Sequence, residues 1–405
     1  MNYVGIDIAK RNHVVAVCAE DGAPHGKAVS FSNDEEGFRA LFARFTELGV
    51  DADECIVAME STGHYWIACW EALVEHGFPV AVVNPVLTDA FRKSCTVRKT
   101  KTDSIDAFLI ADYARFRRLG PTSVSPEKVD GMKGLARFRA SLVKERTALK
   151  NRVTALADRL FPELAKCTGG MQSATFRALL RQFGTPAIIA STDIRTLTRV
   201  ICEASRGGHG RGKAEKVKAL AKKSVGATYA SKALAFEIKH AVELVDHLDS
   251  EISSLDSEIA SMLDATEARL LLTIPGIDAV NAATIAAEMG PAENFEDAKK
   301  LIAYAGIDAS KRQSGDFEGT EEHMSKRGSS YLRYALMNAS DIARQHDPYF
   351  GDYYDSMRAR GKHHYVALSG VARKLCGVIL AVLKEKRAYE PRQSIQSQQK
   401  ELVKS

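Results

Sequence analysis

Three β-rich runs open the chain: "YVGIDIA" at 3–9, "HVVAVCAE" at 13–20 and "KAVSFSN" at 27–33, separated only by short polar or Gly/Pro turns. Links this short suit antiparallel neighbours, so the runs predict a meander. Residues 35–48 follow with Phe38, Leu41, Phe42, Phe45 and Leu48 on one helical face. Strand-like "CIVAME" (55–60), a helix around 65–76, strand-like "PVAVVNP" (79–85) and helices from 86 to 118 come next.

Three strands and then alternating helix and strand is the element order of a ribonuclease-H-like α/β domain, which we expect over 1–125. In such a sheet the first and fourth strands are neighbours and a late helix packs across them. Residues 126–265 carry almost no strand signal. Leu234, Ile238, Ala241, Val245, Leu248, Ile252, Leu255, Ile259 and Met262 step by four and three without a break, a heptad stripe. Leu149, Val153, Leu156 and Leu160 give a shorter version, so a coiled-coil region is expected, closing on itself or on another chain. Residues 266–390 predict an all-α domain, with "IPGIDAVNAATIAAEMG" reading as a helix-hairpin-helix turning at Gly276. The last residues, 391–405, read as a flexible tail.

Hydrophobic residues at 45% and charged ones at 26% exclude a disordered chain. A net charge of +5 permits a polyanionic partner without requiring one. The seven cysteines are scattered and never form C-x-x-C, which argues for reduced thiols, a cytoplasmic protein and no zinc finger. The N-terminus lacks the apolar core of a signal peptide, and the apolar "LCGVILAVL" (375–383) is too short to span a bilayer, so no membrane partner is expected.

The chemistry concentrates in carboxylates. Asp7 sits inside the apolar run of the first strand, where an unpaired charge is costly. Glu60 ends the apolar strand at 55–60, just before Ser61, Thr62 and Gly63. Asp103 and Asp106 are three apart and share one helical face. Each has a bland reading: Asp7 as a partner of Lys10, Asp103 as a helix cap. Jointly they predict four acids meeting where the first and fourth strands and a crossing helix converge. Like charges gathered there need a cation, and hard oxygen donors suit Mg²⁺ or Mn²⁺. Two such ions would clamp both oxygens of a phosphodiester displacement.

Cations lie beside the acids. Arg92, Lys93, Arg98, Lys99 and Lys101 crowd 91–101 with no acid among them, as a polyanion lying across the site would require. Residues 137–159 hold seven Lys/Arg against two acids, and 206–223 hold seven against one. A loop at Gly276 could offer helix amides to a phosphate. Further on, Arg312, Lys326, Arg327 and Arg333 surround Ser314-Gly315. A serine there is usually a turn former, but its hydroxyl could also attack a phosphodiester with cations stabilising the crowded phosphorus. Ser329, Ser330 and Thr320 are the local rivals.

The segments "GIDIAK", "MESTGHY", "VNP", "RKTKTDSIDA", "IPGI" and "YAGI…QSG…SKRGSSYLR" occur in that order. As a set they resemble the transposases of bacterial insertion-sequence family one-ten over about 1–120 and 266–385. The resemblance implies a RuvC-like N-terminal domain with an acidic metal-binding tetrad at Asp7, Glu60, Asp103 and Asp106. It also implies a C-terminal transposase domain with its nucleophile at Ser314. Family members use a structured non-coding bridge RNA to pair with donor and target DNA. They act as homo-oligomers, dimers or tetramers, that join one subunit's acids to another's serine through a covalent serine–DNA intermediate. The Pro-Arg that often precedes the serine segment is Ala309-Ser310 here.

Three other readings make different predictions. A junction-resolvase-like nuclease would use the tetrad alone and leave no protein adduct. An actin-like ATPase shares the opening G-I-D but needs a glycine-containing phosphate turn, where this chain has Ala9, Lys10, Arg11 and Asn12. A non-catalytic RNA scaffold would tolerate loss of Asp7.

Overall fold

The computed structural model describes the chain except residues 62, 96–101, 123–126, 310–312, 315–316, 319–322 and 392–405. The expected tail thus lies outside the described residues apart from Pro391. Two compact units, Met1–Val124 and Ser125–Ser405, divide the chain.

The first unit is built on five strands: β1 (Asn2–Asp7), β2 (Asn12–Cys18), β3 (Val29–Ser32), β4 (Cys55–Glu60) and β5 (Val80–Val83). Their order across the sheet is β3-β2-β1-β4-β5. The short links make β1, β2 and β3 antiparallel, and the helical crossovers make β4 and β5 parallel to β1. This mixed sheet is the arrangement expected of a ribonuclease-H-like domain.

Four helices cover the sheet: α1 (Glu35–Leu48), α2 (Trp66–Glu75), α3 (Pro85–Cys95) and α4 (Asp103–Arg117). Period-two alternation sorts the side chains. Val4 and Ile6 of β1 join Val57 and Met59 of β4 in a core with Leu41, Phe45 and Leu73 from α1 and α2. Tyr3, Ile56 and Ala58 face the other way, onto Ile110, Ala111 and Ala114 of α4.

Gly5 lies on that second face, and α4 rides directly over it. A β-carbon added at Gly5 would stand 2.0 Å from the Ala107 carbonyl oxygen and 2.4 Å from the Ala111 nitrogen, both immovable backbone. Gly5→Ala is therefore expected to push α4 off the sheet and cost about 3 kcal/mol, read as a lower midpoint in urea unfolding. An unchanged midpoint would contradict this seating of α4.

The second unit is helical, with two long antiparallel helices of 34 residues each, α5 (Glu127–Leu160) and α11 (Ser231–Asp264). Between them run α6 (Pro162–Thr168), α7 (Ala174–Phe183), α8 (Pro186–Ser191), α9 (Ile194–Ala204) and α10 (Arg211–Lys222). Then come α12 (Ala279–Met289), α13 (Ala298–Ala305), the short strands β6 (Gln313–Ser314) and β7 (Phe317–Glu318), α14 (Ser330–His346), α15 (Pro348–Ala359) and α16 (His364–Glu385).

The heptad stripe turns inward. Ile238, Val245 and Val242 of α11 share a core with Val153 and Leu160 of α5 and with α7, α9 and α10. The far ends of both helices, at Met132, Ile259 and Leu263, join the C-terminal core with Leu336, Leu375 and Ile379. The packing therefore draws no line at residue 265.

Helix α16 extends beyond the apolar run at 375–383 on both sides, and most of that run is buried. The helix spans 22 residues and is long and apolar enough to cross a membrane by length and composition alone. Its most apolar window is 67% buried in the protein core, which explains its composition as that of a central helix.

Candidate active site

β1 and β4 run parallel in a register that pairs Ile6 with Met59, so the next residue on each strand is Asp7 and Glu60. Adjacent strands lie about 4.8 Å apart. Both acids follow the alternation of Tyr3–Gly5 and Ile56–Ala58, so both belong to the face that α4 covers. Neither is fully buried. Behind Asp7 the fully buried His13 accepts a hydrogen bond at Nδ1 from the Ala9 amide, 3.2 Å, and so pins the turn that follows the aspartate. Burial pushes the His13 pKa down, which keeps the ring neutral.

The first turn of α4 carries the other two acids. Its N-cap is Thr102, whose side chain accepts from the Ile105 amide at 3.3 Å. Neither aspartate is therefore needed as a cap, which removes the bland explanation of the pair. Asp103 is exposed, whereas Asp106 is buried at the level where Ala107 overlies Gly5.

Helix α3 supplies the partners. Thr88 donates to Glu60 Oε1 at 2.5 Å, and Arg92, one turn later, stands 3.2 Å from Asp106 Oδ1. One face of α3 thus ties the sheet acid to the helix acid. Arg92, expected on nucleic acid, is engaged by an acid of the site, and Lys93 pairs with Asp89 at 2.7 Å. Arg98, Lys99 and Lys101 lie outside the described residues.

The backbone thus brings Asp7, Glu60 and the first turn of α4 to one end of one sheet face. Among the described residues, no group of three or more His, Cys, Asp or Glu side chains is placed to hold a metal ion. The donor set is all carboxylate oxygen, the chemistry that suits a hard divalent cation.

In the second unit, Ser314 lies on a two-stranded arm. Lys326 N–H donates to the Gly306 carbonyl and Ser325 N–H to the Asp308 carbonyl, at 3.1 and 2.9 Å. Ala309 bridges Met324, Gln313 pairs with Glu318, and Ser314 pairs with Phe317 nearest the tip. Arg312 lies outside the described residues.

The stems of the arm are packed backbone to backbone. A β-carbon on Gly328 would fall 1.6 Å from the Tyr304 carbonyl oxygen. Arg333 is committed here, donating to the Ala305 carbonyl at 3.1 Å, while Lys326 and Arg327 remain exposed.

Glu288, which sequence reasoning missed, clasps both stems. Its carboxylate accepts from Ser329 Oγ at 2.8 Å, and its carbonyl accepts from Tyr304 Oη at 3.2 Å. Arg137 of α5 grips the same carboxylate through two hydrogen bonds, at 2.6 and 2.9 Å. Glu288 is only 3% exposed. Burial pushes its pKa up, but the Arg137 fork and the Ser329 hydroxyl outweigh that and hold it below the usual carboxylate range. The available signal was a lone acid in the apolar helix "AVNAATIAAEM". Ser329, a rival nucleophile by sequence, spends its hydroxyl on Glu288 and on capping α14.

Gly276 also has an internal task. At φ +90° its α-carbon presses on α14, and a β-carbon there would meet the Ala343 nitrogen at 2.5 Å. The element before it is a 3-10 helix, Glu267–Thr273, and the N-terminus of α12 is capped by the Asp278 carboxylate. A negative cap disfavours a phosphate at that helix end.

The basic stretch at 137–159 is largely spent on the fold, and the one at 206–223 only in part. Arg146 pairs with Asp249 at 2.8 Å, Arg152 with Glu237 at 2.5 Å, and Arg139 with Asp256, all from α5 to α11. Lys213 and Lys218 donate to the Cys167 and Thr192 carbonyls.

Comparison with known proteins adds the family. A DEDD-type family model of insertion element IS110, described as a transposase, matches residues 4–162, and one described as the transposase IS116/IS110/IS902 family matches residues 268–355. The chain is 27% identical over 398 residues to the 44.8 kDa protein of insertion element IS116 from Streptomyces clavuligerus, covering 96% of each. It is 28% identical over 411 residues to the 43.6 kDa protein of insertion element IS110 from Streptomyces coelicolor, again 96% of each. It is 24% identical over 391 residues to a pilin gene-inverting protein of Moraxella bovis, covering 96% of this chain and 98% of the relative.

Proposed function

The chain belongs to the IS110/IS116 family of transposases, and from that premise we propose that it is a site-specific DNA recombinase, guided by a structured RNA, that cuts and rejoins strands through a phosphoserine. The observation that carries the reading is the placement of Asp7 and Glu60 at neighbouring ends of parallel strands, on the face crossed by the first turn of α4. Acids gathered this way are expensive unless a cation or a reaction uses them.

Asp7, Glu60, Asp103 and Asp106 would hold Mg²⁺ or Mn²⁺. When bound, such an ion supplies Lewis-acid stabilisation to the phosphodiester oxygens. Thr88 keeps the Glu60 carboxylate oriented by its hydrogen bond. Arg92 balances the charge of Asp106. Ser314 Oγ attacks phosphorus; its bond to phosphorus forms as a strand P–O bond breaks, and the serine's proton ends on the departing oxygen, which leaves as the strand's hydroxyl. A DNA hydroxyl then displaces the serine in the reverse sense, so bonds made equal bonds broken and no outside energy is needed. Lys326 and Arg327, exposed at the arm's returning stem, are candidates to hold a backbone phosphate. Sequence choice falls to base pairing by the RNA. The protein would work in the cytoplasm as a homo-oligomer.

The purified protein, incubated with Mg²⁺ and paired donor and target DNA, should yield joined strands and a protein-linked species on a denaturing gel. Ribonuclease treatment beforehand should abolish joining. Joining that survives ribonuclease would remove the RNA from the proposal, and free nicked strands with no linked protein would favour the resolvase-like nuclease.

A further inference from the structure

The segment from Ser356 to Lys384 contains no acidic residue, and its first half is exposed and basic: Arg358, Arg360 and Lys362 before Tyr365. It forms one wall of a cavity of about 590 Å³. The opposite wall is the foot of the serine arm, Ile307–Ala309 on one stem and His323–Met324 on the other. Lys362, Tyr365, Ser369, Arg373 and His323 supply its polar lining, and the acid on the wall, Asp308, accepts a hydrogen bond from Ser325.

Tyr365 is 65% exposed, an unusual position for a large ring in a segment that otherwise feeds the core helix α16. Its backbone is held by His363 Nδ1, which accepts the Tyr365 amide at 3.3 Å. Its ring leans on His364, 5.0 Å between centroids, and His364 in turn is fixed by Tyr354 Oη at 2.7 Å. The aromatic platform is thus held in place, largely exposed, and Lys362 and Arg373 line the same cavity. A stacking ring set among exposed cations is the recognition chemistry of single-stranded nucleic acid.

We propose that this cavity seats single-stranded DNA beside the phosphate that Ser314 attacks, with a base stacked on Tyr365 and the strand's phosphates on Lys362 and Arg373. The choice of DNA rests on the proposed serine chemistry, because the cavity shares its wall with the arm that carries the serine.

The test uses the full chain and a fluorescein-labelled mixed-sequence DNA oligonucleotide, with anisotropy measured across a salt series and thermal unfolding confirming each variant's fold. Tyr365→Ala is expected to weaken binding about tenfold, with Tyr365→Phe close to wild type. Lys362→Ala should flatten the slope of log affinity against log salt by about 0.7. Arg199→Ala, an exposed cation of α9 paired with Glu203, should leave that slope within error. Unchanged binding by folded Tyr365→Ala would overturn the proposal. So would an RNA of the same sequence that binds tighter than the DNA and loses affinity with Tyr365→Ala. A wild-type protein–DNA adduct alongside a silent Tyr365→Ala would discard the cavity and keep the serine. Tyr365-dependent DNA binding without any adduct would keep the cavity as a strand site and discard the serine.

Discussion

Ser314→Ala abolishes the protein-linked DNA species and lowers strand joining by about 10⁴-fold or more, a loss on the scale seen when a covalent nucleophile is removed. The reasoning is local. The serine lies in β6, whose pairing with β7 closes the arm. The stems of that arm are fixed by the packing of Gly306 against Arg327 and Gly328, and by Glu288. Alanine keeps the β-carbon and removes only the hydroxyl, so the arm's backbone ladder is unaffected. Loss of the adduct with an unchanged unfolding midpoint is the result to look for, by denaturing gel and calorimetry. If the alanine variant still carries covalently linked DNA, another residue is the nucleophile, and Ser330 and Thr320 are next in line.

Glu60→Gln is the second large effect, a fall in strand cleavage of about 10³-fold, comparable to removing a preorganised electrostatic group. Glutamine keeps the shape and an acceptor oxygen, so Thr88 still has its hydrogen bond and α3 stays seated. What disappears is one negative charge at the strand end beside Asp7. Asp7→Asn should fall by a similar factor, because the two acids occupy equivalent ends of parallel neighbours. Asp106→Asn is a less clean probe, since it also strips Arg92 of its ion pair. Cleavage rates at saturating Mg²⁺ measure the effect, and a Glu60→Gln protein that cuts at the wild-type rate would separate these acids from the chemistry.

Much of the first unit is legible in the chain. The five strands and the α1 and α2 positions follow from alternation and turn chemistry, and the element order leaves few sheet topologies open. The acids stood out because a charge inside "YVGIDIA" or at the end of "CIVAME" conflicts with its surroundings. The cations were harder to assign. Arg92, Arg333 and the basic face of α5 looked like nucleic-acid contacts, yet each has a partner far away in sequence: Asp106, the Ala305 carbonyl and the acids of α11. Conversely, the Tyr365 platform went unremarked, because an isolated tyrosine carries no pattern until its exposure is known.

Period and turn residues decided where this chain forms strands and helices, because backbone sterics and the burial of one face act over a few neighbours. Tertiary structure alone decided that the heptad stripe closes within one chain, that α3 joins Glu60 to Asp106, and that Glu288 clasps the serine arm. Those outcomes depend on which charged groups folding brings within hydrogen-bond reach and strips of water, and no short-range rule of sequence encodes that.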